Sequence, residues 1–351
     1  MRAPPMDGRL LDRLARAALL GVGHALPPTL RHNDDPVFDW IREHDPTGGK
    51  LFTGYVQRHV LAAGEHIADF MAAAARTALA DAKLRADDID LLLGYASVSE
   101  FATPNAIAHV HALLGLPERC WAVPLAADFS NHAAALLMAD ALVAAGRARH
   151  VLVAFGSNWT RHVSYQSPEC VSAGDGAGAA VVGASADRGR WRVMDLEVCD
   201  RTSGYGGMAM RADLLGVPPQ PLAPPGGTTW SQAYYHITPA GLDAYKVFGT
   251  EEPPRVVARL LARHGLYGRD ITLVPYQASA LLIDAWCSAI DPADTIHTLP
   301  ENGNMVIANL AVNLAVAAPR IRTSHAVLVG LGPEPHATAL LLRRDGPYAP
   351  T

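Results

Sequence analysis

The segment Ala126-Ala127-Asp128-Phe129-Ser130-Asn131-His132 carries the residues best placed to do chemistry. A strand read over residues 122–127 runs straight into a helix read over residues 131–145. That junction aims one side chain and the first free N–H groups of the helix at the same spot. A helix N-terminus there stabilises a negative nucleophile or an oxyanion. Asp128, Ser130 and Asn131 are also ordinary N-capping residues, and capping alone would account for them. The Ser130 hydroxyl can be acylated, but it is a weak nucleophile without a base. His132 is near in sequence, yet two residues apart on a helix the side chains point to different faces. A second junction, Asn302-Gly303-Asn304, leads a helix in the later part of the chain. An Asn there can donate to a carbonyl oxygen, and it too is a common cap.

Other suggestive patterns read as structural. Gly174-Asp175-Gly176-Ala177-Gly178 has the glycine density of a phosphate loop. A dinucleotide fingerprint needs a helix after it, and the next residues, 179–183, read as a strand; no Lys-Ser/Thr completes a Walker pattern. We read a tight turn entering a core strand. His109 and His111 fall in a helical stretch, no HExxH occurs, and no metal site is expected. There is no GxSxG elbow.

The elements that must hold these residues follow a rhythm. Apolar runs at 17–23, 91–96, 151–155 and 179–182 read as buried strands. Helical spacing marks 62–82, with Ile67, Phe70, Met71, Ala74 and Leu79 on one face, and a further helix from Thr103-Pro104 to about Leu114. The later part repeats the order. Residues 270–275 mirror 88–93, and a helix follows over 279–289. Residues 301–304 lead a long helix to about Ala318, and strands are read at 325–330 and 337–342. This long-range repeat predicts an α/β fold of two similar halves, 1–186 and 187–351. Residues 200–230, rich in Gly and Pro, break the rhythm as an irregular insertion.

Composition limits the function classes. The 351 residues amount to about two domains at roughly 150 residues each. Half of them are hydrophobic and 18% are charged, which supplies a large core and argues against disorder. Net charge is −5, so a basic nucleic-acid surface is not expected. Four cysteines, Cys120, Cys170, Cys199 and Cys287, form no CxxC pair; a disulfide scaffold is disfavoured and a reducing cytoplasm fits. Arginines interrupt the apolar part of residues 1–28, unlike a signal peptide, and no 18-residue apolar run suggests a membrane span.

Several stretches resemble the β-ketoacyl-acyl-carrier-protein synthase III family of the thiolase superfamily. They include Phe38-Asp39-Trp40-Ile41, Gly54-Tyr55-Val56-Gln57-Arg58-His59, Asp88-Ile89-Asp90-Leu91, Ala139-Asp140, the run from Gly174 to Val181, Val274-Pro275-Tyr276-Gln277-Ala278 and Gly303-Asn304. The resemblance implies a thiolase-like fold, with two duplicated halves in a five-layered α-β-α-β-α core. It also implies a homodimer, or a heterodimer with a ketosynthase paralogue. The implied substrate is an acyl group carried as a thioester on coenzyme A or on the phosphopantetheine of an acyl-carrier protein, with no permanently bound cofactor. Family members use a Cys at the first elbow, a His in a VPHQAN-like motif and an Asn after Gly. Here the Asn is Asn304, and the His position reads Tyr276, a poor base because a free phenol has a pKa of about 10. An ungapped match puts Phe129 at the nucleophile position, and a one-residue shift puts Ser130 there. Trp40 matches an adenine-stacking position, with about eight extra residues before Gly54, and Arg161 falls near the other such position.

Three readings follow. One is an acyltransferase or atypical condensing enzyme of specialised metabolism, with Ser130 as nucleophile and Tyr276 and Asn304 orienting the carbonyl. A second is an inactive partner subunit, with Phe129 filling the elbow. A third is another use of the pocket, such as thioester hydrolysis or ligand binding.

Overall fold

The computed structural model describes residues 16–99, 101, 103–187, 189–211 and 234–346. The apolar runs form two five-stranded sheets. The first takes β1 (Arg16–Ala25), β4 (Leu91–Ala96), β5 (Trp121–Pro124), β6 (His150–Ser157) and β7 (Gly176–Ser185), in the order β1-β7-β6-β4-β5. The second takes β8 (Arg192–Asp200), β11 (Ile271–Pro275), β12 (Asp294–Thr295), β13 (His325–Gly332) and β14 (His336–Arg343), in the order β12-β11-β13-β14-β8. In each sheet three neighbouring strands are parallel, the fourth runs antiparallel to them, and the fifth, at the edge, runs antiparallel to the fourth. Two short ribbons complete the strands: β2 (Leu30–His32) with β3 (Gln57–His59), and β9 (Met208–Arg211) with β10 (Tyr234–Ile237).

Helices fill three layers. The helices are α1 (Asp39–His44), α2 (Ile67–Asp81), α3 (Ile107–Leu114), α4 (Asn131–Ala144), α5 (Pro239–Arg263), α6 (Ala280–Ile290), α7 (Leu299–Asn302) and α8 (Asn309–Ala317). α4 and α8 lie between the sheets, α2 and α3 cover the outer face of the first, and α5, with α6 against it, covers the second. This is the expected α-β-α-β-α layering. It explains the continuous apolar runs: Val151 to Phe155 and Ala326 to Val329 are fully buried because helices cover both faces. α4 is buried on several sides, which its Ala-rich sequence permits.

Three details correct the sequence reading. The strand expected over 122–127 ends at Pro124, and a turn fills 125–130 before α4. The long helix expected to run to Ala318 is broken into α7, a 3-10 turn over Val306–Ala308, and α8. The glycine run 174–178 does enter a core strand, but the strand begins earlier than expected: Gly176 and Gly178 already lie within β7, and neither has a positive φ. Its glycines serve close packing instead. A Cβ on Gly178 would lie 2.5 Å from the backbone of Ala311 on α8. Of the expected insertion, residues 202–211 form a 3-10 turn and β9, and 212–233 lie outside the described residues.

Candidate active site

The elbow before α4 is strained. Asp128 has φ +28° and Phe129 has φ +74°, a left-handed region that costs non-glycine residues about 1–3 kcal/mol. Local hydrogen bonds hold it. Ser130 N donates to Ala127 O at 2.8 Å, Phe129 N donates to Asn131 Oδ1 at 2.9 Å, and Asn131 Nδ2 donates to Leu125 O at 3.0 Å. Asn131 therefore acts as a clamp on the turn.

The turn sends Phe129 and Ser130 to different neighbours. Phe129 stacks on Tyr276, with ring centroids 5.5 Å apart and planes 4° apart. Tyr276 follows β11, is 1% exposed and donates its N–H to Val329 O at 2.7 Å. Burial, reinforced by Tyr245, pushes its phenol well above 10, so it is a neutral hydroxyl and not a base. Its phenol neighbours the Asn304 side chain, which works against that rise. Asn304 Oδ1 already accepts from Val306 N at 2.9 Å and Asn309 Nδ2 at 2.6 Å, which leaves its amide N–H groups to face Tyr276. Buried amides brace this arm: Gln277 Nε2 donates to Gly303 O at 2.5 Å, and Asn313 Nδ2 donates to Gln277 Oε1 at 2.9 Å. The structure thus joins Phe129, Tyr276 and Asn304, the three positions that the resemblance aligns with Cys, His and Asn.

Ser130 points instead to the β13–β14 hairpin and is 3% exposed. Its Oγ lies 2.9 Å from His336 Nε2, and Thr338 Oγ1 donates to that Oγ, also at 2.9 Å. His336 Nδ1 lies 3.0 Å from Glu334 Oε1. Asp128, in the turn, is a further acidic neighbour of Glu334. The donor directions are mutually consistent. Thr338 donates to Ser130, Ser130 donates to His336 Nε2, and His336 Nδ1–H donates to Glu334. Gly330 makes the room, since a Cβ there would lie 2.4 Å from Ser130 Oγ. Burial and the neighbouring Glu334 push the Asp128 carboxyl up. Burial works against ionised Glu334, but the hydrogen bond from His336 and its other contacts outweigh it and hold its carboxyl down.

The remaining candidates lie elsewhere. Trp40 sits on α1, 39% exposed, stacked on His44 at 4.2 Å. Arg161 is in a 3-10 turn and donates Nη2 to Ala62 O at 2.6 Å. His132 turns into the core against Phe155 and does not meet Ser130. Among the described residues there is no group of three or more His, Cys, Asp or Glu able to hold a metal, and no helix long and apolar enough to cross a membrane.

The sequence does not disclose the imidazole beside Ser130. His336 and Glu334 lie more than 200 residues from Ser130, and their only local signature is one carboxylate two residues before one histidine. In the sequence Asp128 reads only as a cap. The repeat offered one signal, because it set the hairpin of the second half beside the elbow of the first.

Comparison with known proteins supplies the context. The family model of 3-oxoacyl-[acyl-carrier-protein (ACP)] synthase III matches residues 126–201, which include the elbow. A β-ketoacyl-[acyl-carrier-protein] synthase III of Cereibacter sphaeroides is 32% identical over 321 residues, covering 87% of this chain and 91% of the relative. The 3-oxoacyl-(acyl carrier protein) synthase III structure from Pseudomonas aeruginosa superposes with a TM-score of 0.77 at 23% identity, covering 94% of this chain and 99% of that one. The priming β-ketosynthase of a polyketide biosynthetic pathway gives 0.78 at 22% identity, covering 99% of both chains.

Proposed function

The chain belongs to the β-ketoacyl-[acyl-carrier-protein] synthase III family, and we propose that within it this protein is an acyltransferase that works without a Cys-His pair. The observation that carries the proposal is the chain from Ser130 Oγ to His336 Nε2 at 2.9 Å and from His336 Nδ1 to Glu334 Oε1 at 3.0 Å. A serine, an imidazole and an orienting carboxylate in this order are recognised by geometry and role, not by sequence position.

The substrate is an acyl thioester of coenzyme A or of an acyl-carrier protein. Ser130 Oγ attacks the thioester carbonyl while His336 Nε2 takes the hydroxyl proton. Glu334 stabilises the resulting imidazolium. Collapse breaks the carbon–sulfur bond, His336 returns the proton to the departing thiolate, and the acyl group remains as an ester on Ser130. A hydroxyl, amine or carbon nucleophile, deprotonated by His336, then takes the acyl group and restores the serine. The hydroxyl of Tyr276 and the amide of Asn304 are donors on the Phe129 side of the elbow, and we assign them to orienting the bound thioester. Trp40 and Arg161 are assigned to the adenine of coenzyme A. We place the protein in the cytoplasm as a homodimer or paired with a ketosynthase paralogue; the open edge strand β5, with Trp121 72% exposed, suits a further strand.

The test is intact-mass spectrometry after incubation with acyl-CoA or acyl-carrier protein. The expected result is a one-acyl adduct that is absent in Ser130→Ala. No adduct and no acyl transfer to any acceptor would overturn the proposal.

The Phe129–Tyr276 stack favours a second reading, a partner subunit whose elbow is filled. Co-purification with a cysteine-bearing paralogue, together with no Ser130 adduct in the complex, would establish that role instead.

A further inference from the structure

Two glycines on one strand face two polar side chains on the next. In the β13–β14 hairpin Gly330 pairs with Thr338, and Gly332 pairs with His336. Thr338 and His336 are two apart on β14, so their side chains share one face of the sheet. The residues opposite them carry no side chain, and that leaves a slot. A Cβ at Gly332 would collide with the His336 ring. A Cβ at Gly330 would collide with Ser130 Oγ and lie 2.6 Å from Thr338 Oγ1. Ser130 enters this slot from the turn before α4, 208 residues from Thr338 in the chain.

The donor inventory fixes which way each hydrogen points. A carboxylate only accepts, so Glu334 takes its hydrogen bond from His336 Nδ1–H at 3.0 Å. The neutral ring then has only a lone pair at Nε2, and the Ser130 hydroxyl donates to it across 2.9 Å. That uses the one hydrogen of Ser130. The 2.9 Å contact between Thr338 Oγ1 and Ser130 Oγ is therefore donated by Thr338. Ser130 Oγ keeps one lone pair for an electrophile. Thr338 and Ser130 are both buried, so water competes little for this bond.

We propose that Thr338 is a positioning residue for acyl transfer: its hydroxyl, held in the two-glycine slot, turns the Ser130 hydrogen toward His336 and stabilises the charge that develops on Ser130 Oγ as that hydrogen leaves. The proposal rests on the acyl-Ser130 reading above. With the donor in place, the serine oxygen is oriented before the thioester arrives. As His336 Nε2 takes the Ser130 proton, the bond from Thr338 becomes a bond to an anion, and such bonds are about twice as strong as neutral ones. Thr338 keeps its own proton throughout. Once Oγ belongs to the ester, the bond is again a neutral one. The donation therefore acts on the acylation step and little on the binding of the thioester.

The experiment compares wild type, Thr338→Ser, Thr338→Val and Thr338→Ala in single-turnover acylation with acetyl-CoA. Intact mass gives the limiting rate and the half-saturating concentration, and a melting curve checks each fold. Val deletes the hydroxyl and suits a strand. Ala makes the same deletion without adding apolar bulk. Both should lower the limiting rate about tenfold, the loss expected for one hydrogen bond, with the half-saturating concentration unchanged. Thr338→Ser keeps the donor and should recover most of that rate. A limiting rate unchanged in both Val and Ala variants overturns this proposal and leaves the acyl-serine reading intact. So does a Ser variant as slow as Val, which would assign the loss to packing of the methyl group. A loss confined to the half-saturating concentration overturns it as well, since Thr338 would then serve binding alone. Absence of any Ser130-dependent adduct in wild type overturns both.

Discussion

Ser130 Oγ lies 2.9 Å from His336 Nε2, although 206 residues separate them in the chain. The duplicated fold brings them together. Ser130 immediately precedes the central helix of the first half, and His336 opens the last strand of the second. His336→Gln should keep a side chain able to hydrogen-bond but remove the base. Acylation of Ser130 is then expected to slow by about 10²–10⁴-fold, with the melting temperature nearly unchanged. A time course of adduct formation by intact mass checks this, and an unchanged rate would free Ser130 from any dependence on His336.

Phe129 tests the other arm of the elbow. Its left-handed φ and its contact with Tyr276 put it where the resemblance expects a nucleophile. Phe129→Cys should place a thiol there that acylates independently of His336. Carbon–carbon bond formation should still be absent, because the Tyr276 phenol is no base. Phe129→Cys combined with Tyr276→His is expected to gain decarboxylative condensation with a malonyl thioester, read as carbon dioxide release. Failure of the double variant would show that the remaining pocket has diverged as well.

These residues also mark what the sequence discloses. Runs such as Leu91 to Ala96 and Ala179 to Val182 are read correctly because strands buried on both faces are apolar throughout. β8 went unread because it is an edge strand whose Asp195 and Glu197 face the arginines of α5. α5 itself holds Pro253 and Pro254, which hide a 25-residue helix from spacing arguments. The break near Asn304 was equally hidden. That side chain captures the N–H of Val306, which is bent to φ +39°, and local capture of this kind competes with helix. Asn304 and Tyr276 were legible through their motifs. His336 was not, because its meeting with Ser130 exists only after both sheets are packed.

Glu252 on α5 offers a test of stability. It is 4% exposed and meets Arg201 at 3.1 Å, Arg259 at 3.2 Å and Arg255 at 3.5 Å. Burial opposes its charge, but hydrogen bonding, with Arg259 foremost, holds its carboxyl below the usual 4.5. A carboxyl lowered on folding stabilises the protein above its unfolded value, and that contribution is lost as pH falls through the folded value. Glu252→Gln should therefore cost about 1–3 kcal/mol at neutral pH. The gap between the two denaturation midpoints should close as pH drops below 4.5. A constant gap across that window would mean that the charge of Glu252 contributes nothing.

His132 gives the opposite case, a buried base that stays neutral. It is 1% exposed, neither ring nitrogen has a hydrogen-bond partner, and burial brings its imidazole down from 6.5 to about 3. The unfolded chain binds this proton below 6.5, and the folded protein does not until about 3. Folding stability is therefore highest above 6.5 and declines as pH falls toward 3, by up to about 1.4 kcal/mol per unit. His132→Leu removes both the unsatisfied nitrogens and the titration. It should stabilise the protein by about 1–3 kcal/mol at neutral pH, and the gain over wild type should widen between pH 6.5 and 3. Urea denaturation across that range measures both effects. Because His132 faces Phe155 and not Ser130, the rate of acyl-serine formation should stay the same while stability rises. A loss of acylation in this variant would instead tie the buried imidazole to the elbow through α4, the helix on which it lies.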